Sequence, residues 1–91
     1  MQYAYHQAFL RATKRLSRHH ADVLLRVVAR FQQAVETGVW PQGLGLTHLR
    51  GGYFEFRVDA HVRVIYRRTP GLIEYALYGS HDDVRRFLKT H

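Results

Sequence analysis

The chain contains no cysteine, so it can form neither a disulfide framework nor a thiolate metal site. That composition suits a reducing compartment, and a cytoplasmic location is the expectation. No apolar run approaches the length of a membrane span. The opening residues, MQYAYHQAFLRATKRL, lack the apolar stretch of a secretion signal, so no signal peptide is expected. Acidic residues are also scarce: seven Asp and Glu stand against fourteen Lys and Arg, a formal net charge of +7. Lysine itself is nearly missing. Only Lys14 and Lys89 are lysines, and the other basic residues are arginines. A small basic domain favours an anionic partner, and arginine is the better bidentate phosphate ligand. Nucleic acid is therefore the leading partner class.

With 91 residues the chain is one domain, spanning 1–91, with a modest core. It has no repeat, low-complexity tract or linker. Residues 2–5 alternate weakly and read as a short strand. From His6 the pattern turns helical, with Phe9, Thr13 and Leu16 on one face. A break at 17–20 separates a second helix, in which Leu24, Val27, Val28, Phe31, Ala34 and Val35 recur at helical spacing. Gly38 is its stop, and residues 38–45 form a glycine- and proline-punctuated loop ending the helical hairpin. Strands follow at about 46–50, 53–58, 61–67 and 72–78, separated by Gly51-Gly52, Asp59-Ala60 and Thr69-Pro70-Gly71. Short connections imply antiparallel pairing. Residues 81–89 read as a short helix with Ser80 as N-cap and Asp82 and Asp83 near its positive end. The expected fold is α+β: an N-terminal strand and helical hairpin packed on one face of a small antiparallel β-sheet, then a short C-terminal helix, with the helices on one face.

Alternation assigns each strand residue to a side. Phe54, Phe56, Val58, Val62, Val64, Tyr66 and Leu49 make an apolar face for the hairpin. The other face collects His48, Arg50, Glu55, Arg57, His61, Arg63 and Arg67. A solvated sheet face ordinarily mixes Thr, Ser, Lys and Glu, whereas this one is dominated by Arg and His. Guanidinium and imidazole together bind phosphate and can move protons near neutral pH. His81, just past the last strand, can hang over the same surface.

The string LTHLRGGYFEFRVDAHVRVIY, followed by a strand and GSHDDVRRFL, resembles the RelE/ParE superfamily of bacterial toxin–antitoxin toxins. Within it, the resemblance is to the ribosome-associated, mRNA-cleaving branch that includes the YafQ type. It implies an endoribonuclease without cofactor or metal, in which the ribose 2′-OH attacks the adjacent phosphorus. On that resemblance Arg63, opening RVIY, matches the phosphate-binding arginine, and Arg57 a second basic position. His48 and His61 match the histidines of the YafQ type, and His81 the C-terminal catalytic position. Phe87 stands where some members carry an aromatic ring near the substrate base. The implied roles are His81 as general acid, His48 or His61 as base, Arg57 and Arg63 as charge stabilisers, and Arg50 and Arg67 as further substrate contacts.

The chain departs from the family in places. Phe54 and Phe56 occupy the strand that carries two lysines in the lysine-based variants. Phe87 has no proton to give but can stack on a base. The acidic residue that follows the DAH histidine in the YafQ type is absent. The resemblance also implies a cognate antitoxin, mRNA on the 70S ribosome as substrate, and a toxin–antitoxin assembly that reaches operator DNA through the antitoxin. The alternatives are a ParE-like inhibitor of DNA gyrase and a plain nucleic-acid-binding module. At the level of residues, Glu55 is a further candidate base or an orienter of arginine, Trp40 a core lid or partner contact, and a site from His19, His20, His81, Asp82 and Asp83 the one conceivable metal centre.

Overall fold

The computed structural model describes residues 1–91. Local chemistry sets the helices. Ser17 holds an extended backbone, and its hydroxyl accepts the His20 N–H at 3.2 Å, which starts α2 (Arg18–Thr37). The break in the hairpin therefore lies just before Arg18, and His19 and His20 belong to the first helical turn. Gly38 ends α2 in the left-handed region at φ 75°, its N–H donating to the Ala34 carbonyl. The shorter α1 (Gln7–Lys14) precedes it and buries Phe9.

Five strands form one sheet in the order β1-β5-β4-β3-β2. The four strands β2 (Thr47–Arg50), β3 (Tyr53–Arg57), β4 (Val62–Thr69) and β5 (Leu72–Ser80) make the expected antiparallel meander. The N-terminal β1 (Gln2–Tyr5) adds to the edge of β5 in parallel, Gln2 opposite Leu72 and Tyr5 opposite Tyr75. The helical hairpin carries the chain from this edge to β2 at the opposite edge, and the meander then returns to bring β5 beside β1.

The hairpin covers one face. Phe31 is fully buried there, with ring centroids 4.5 Å from Phe56, 4.6 Å from Tyr66 and 6.1 Å from Tyr75. Leu24, Leu44, Val64 and Ile73 close the cluster. The final helix, α3 (His81–Thr90), lies against the other face. A second, smaller core of Ile65, Ala76 and Val84 forms there, flanked by Leu49, Tyr53, Phe87 and Leu88. This corrects the expectation of helices on one face. The irregularity in β5 that leaves Ala76 between the partners of Ile65 and Tyr66 puts small and aliphatic side chains on the second face, and α3 has an apolar stripe to match. No helix is long and apolar enough to cross a membrane.

Burial pushes the Tyr66 phenol up to about 12 and raises Tyr75, despite the hydrogen bond that Gln32 Nε2 donates to the Tyr75 oxygen at 2.8 Å. The folded state thus favours the neutral phenols. Their contribution to stability is complete below the ordinary phenol value of about 10 and disappears as pH rises through the folded value. Thermal melts between pH 8 and 12 are expected to show Tm falling only above about pH 10. In Tyr66→Phe the alkaline fall becomes shallower.

Candidate active site

Three strands bring a row of residues to one corner of the α3-facing side. Arg57 at the end of β3 lies opposite Arg63 of β4, and Arg63 lies opposite Gly79 of β5. Val62 is paired with Ser80, so His61 and His81, the next residues outward, leave the sheet at the same corner. Both histidines are exposed. The turn that carries His61 is held by Asp59, whose Oδ1 accepts the His61 N–H at 2.7 Å and the Val62 N–H at 2.9 Å.

The position of His81 is fixed by a capping box. Ser80 Oγ accepts the Asp83 N–H at 3.2 Å, and Asp83 Oδ2 accepts the Ser80 N–H at 2.8 Å. The backbone hydrogen bond from Ser80 holds the Asp83 carboxyl below its ordinary value, with Arg86 assisting. This stabilisation is present above the usual carboxylate range and is lost as pH falls through the lowered value. The turn is tight: a Cβ on Gly79 would stand 2.6 Å from Asp83 Oδ2 and 2.7 Å from Asp83 Cβ. Gly79→Ala must therefore push α3 off its seat and displace His81. Ser80→Ala is expected to cost about 1 kcal/mol in chemical denaturation. Gly79→Ala should cost more than Ser80→Ala in the same measurement, because it displaces the start of the helix as well as weakening its cap.

Around this corner the surface is basic. The Leu44 carbonyl accepts the Arg57 N–H at 2.9 Å, and the Arg57 side chain lies along Gly45, where a Cβ would sit 3.1 Å from Arg57 Cβ. Farther along α3, Arg50, Arg85, Leu88 and Lys89 line a shallow groove between β2 and α3, with Arg50 in register with Tyr53 at the other end of β3 from Arg57. His81, Arg85 and Lys89 follow one another at four-residue spacing and so share one side of the helix. Arg85 and Lys89 were absent from the sequence-based set, although that spacing from His81 was readable. Beneath the row, Arg63 Nη1 lies 3.5 Å from Glu55 Oε1.

Two expected members sit elsewhere on the same face. Arg67 is four residues from Arg63 along β4, about 13 Å at strand rise. It stacks over Tyr53, 6.0 Å from the ring centroid. Phe87 packs against the second core, edge-on to Tyr53 at 5.2 Å and stacked on His91 at 4.0 Å. His48 is on the other side of the sheet. Its Cα partner is Phe54, its ring lies 4.8 Å from the Phe54 ring, and its Nε2 is 2.9 Å from the Gly51 carbonyl oxygen. Strict alternation had put His48 with Arg50 and Leu49 with the hairpin core. A register irregularity between His48 and Arg50 turns Leu49 toward α3 and separates His48 from the arginine row. No group of three or more His, Asp or Glu side chains comes together as metal ligands.

This architecture is the fold of RelE/YafQ-like toxins of toxin–antitoxin systems. The chain superposes on YafQ in the Escherichia coli DinJ–YafQ toxin–antitoxin complex with a TM-score of 0.71 at 19% identity, over 91% of this chain and 94% of that one. A YoeB/ParE toxin from Agrobacterium tumefaciens gives 0.65 at 20% identity, over 89% and 99%. YoeB from a Staphylococcus aureus dimer gives 0.70 at 13% identity, over 89% and 97%. No family model and no curated relative matches the sequence.

Proposed function

We propose that this protein is the toxin of a bacterial type II toxin–antitoxin system and that it is a metal-independent endoribonuclease, cleaving mRNA on the ribosome in the cytoplasm and so stopping translation. The observation that carries this reading is the corner where His61 and His81 leave the sheet next to the paired Arg57 and Arg63, with a basic groove farther along α3. Two exposed imidazoles beside two guanidiniums supply what cleavage within an RNA strand needs.

In the proposed reaction the 2′-OH oxygen attacks the adjacent phosphorus while His61 takes its proton. Of the two histidines open as base, His61 is favoured because His48 lies across the sheet. Arg57 and Arg63 hold the nonbridging oxygens as charge builds on them. The bond to the 5′ oxygen breaks and His81 protonates that oxygen. The products are a 2′,3′-cyclic phosphate and a 5′-hydroxyl, so atoms and protons balance without a cofactor. Arg50, Arg85 and Lys89 would carry the flanking phosphates along the groove. Arg67 and Phe87, farther down the same face, would serve a longer RNA segment.

A cognate antitoxin is part of the reading. The groove between α1 and α2 is apolar, lined by Phe9, Leu10, Leu16, Leu24, Leu25 and Val28, and Leu25 is 66% exposed. Arg11, Lys14 and Arg15 form a separate basic patch at the end of α1. An acidic amphipathic helix suits such a surface in both shape and charge.

The test is an assay of the purified protein on ribosomes programmed with a defined mRNA, with EDTA present, in parallel with a DNA gyrase supercoiling assay. New 5′-hydroxyl ends within the message support the reading. Supercoiling inhibition without such ends replaces it with the ParE-like alternative. A salt-sensitive RNA complex with neither activity leaves a binding module.

A further inference from the structure

Glu55 is the one charged residue in the buried set, 7% exposed. It lies on the α3-facing side of β3, two residues from Arg57, and is paired with Ile65. Burying a carboxylate is costly unless something nearby needs its charge. Here that need is visible. Arg57 and Arg63 stand directly opposite each other on neighbouring strands, a like-charge cross-strand pair that is unfavourable by itself.

Resting on the ribonuclease reading, we propose that Glu55 is the positioning residue of this site: it holds the Arg63 guanidinium from beneath so that its exposed terminal N–H groups face the scissile phosphate. The contact is one-ended. Arg63 Nη1 reaches Glu55 Oε1 at 3.5 Å, whereas Arg63 Nε and Glu55 Oε2 are both buried without a partner. An ion pair serving stability alone tends toward the two-pronged geometry that satisfies both groups. This one anchors Nη1 alone and, with Nε enclosed, leaves the exposed terminal N–H groups as the part of Arg63 that can meet a ligand. Arg63 is also only partly covered, its side chain 20% exposed, while that of Glu55 is 10% exposed. The exposed part belongs to the cation that must meet the phosphate. Glu55 does not act as the base, because its free oxygen is enclosed. It acts through Arg63, and its effect belongs in the transition state, where charge on the nonbridging oxygens is greatest.

The experiment is a cycle of Glu55→Gln, Arg63→Gln and the double variant, with Glu55→Asp alongside. Three quantities are read: kcat and KM on programmed ribosomes, Tm, and the Arg63 Nε–H resonance with its solvent exchange. The expected result for Glu55→Gln is a kcat lower by about 10- to 30-fold with KM within about twofold. The Arg63 resonance shifts and exchanges faster. Glu55→Asp recovers part of the rate, and Glu55→Gln adds nothing in the Arg63→Gln background. The inference is overturned if Glu55→Gln cleaves as the wild type does, if its effect persists undiminished without Arg63, or if the Arg63 resonance is unmoved. If the wild type cleaves no RNA, the ribonuclease reading fails separately, and the Arg63 resonance still decides whether Glu55 positions that side chain.

Discussion

Replacing His81 by alanine is expected to lower the rate of mRNA cleavage by about 10²- to 10⁴-fold, the range that a positioned acid or base supplies. His81 is exposed and starts α3, while the cap itself is made by Ser80 and Asp83. The change should therefore leave stability within about 0.5 kcal/mol, as for ordinary surface substitutions. The check is induced expression of wild type and His81→Ala, with growth followed and mRNA 5′ ends mapped, beside Tm of the purified proteins. Growth arrest with new ends inside codons in the wild type, and neither in the variant, is the expected outcome. Equal arrest without new ends in both would sink the nuclease assignment and direct attention to gyrase. His61→Ala provides the companion measurement. If His61 is the base and His81 the acid, each variant flattens a different limb of the pH–rate profile.

The largest effect on stability is expected at Phe31. Its fully buried ring is stacked on Phe56 and tilted against Tyr66, with the Trp40 centroid 6.2 Å away. Phe31→Ala removes the ring that joins α2 to three strands and should cost about 3–5 kcal/mol. Since a domain of this kind has roughly 5–15 kcal/mol in total, that is a large share. Urea unfolding of wild type, Phe31→Ala and Phe31→Leu measures it. A loss near 1 kcal/mol for Phe31→Ala, close to the average for any point mutation, would mean that the hairpin is not seated as described. The contact of Trp40 with Phe31 also answers the two readings of Trp40 in part. Its ring closes this core from the loop side, although the residue is still 40% exposed.

Much of the fold was readable because local chemistry and periodicity agree. The two helices of the hairpin, the Gly38 stop and the Ser80 cap follow from spacing and from residues with a single strong conformational or hydrogen-bonding preference. The meander strands were found within a few residues of their ends, since alternation and Gly, Pro and Asp turns mark them. The apolar set of β3 and β4 faces the hairpin as alternation requires. Alternation also brought Arg57, Arg63 and Glu55 to one face, and this is where they stand.

Other features depended on contacts that no local pattern encodes. A one-residue irregularity in β2 sends His48 to the opposite side from Arg63, because the side-chain period of a strand is two and any extra residue inverts it. The same kind of step in β5 opens the second core and so decides that α3 crosses the arginine face instead of joining the hairpin. Only then do Arg85 and Lys89 become walls of a groove and Phe87 a ring packed against the second core.

By itself the sequence determined the charge, the element order and the faces of β3 and β4, all of which are properties of near neighbours in the chain. The tertiary structure decided that His61, and not His48, leaves the sheet at the corner where His81 starts α3, what Phe87 touches, and that the buried carboxylate of Glu55 meets Arg63. Those depend on register between strands and on the seat of α3, where residues far apart in the chain are brought together by packing that must be satisfied all at once.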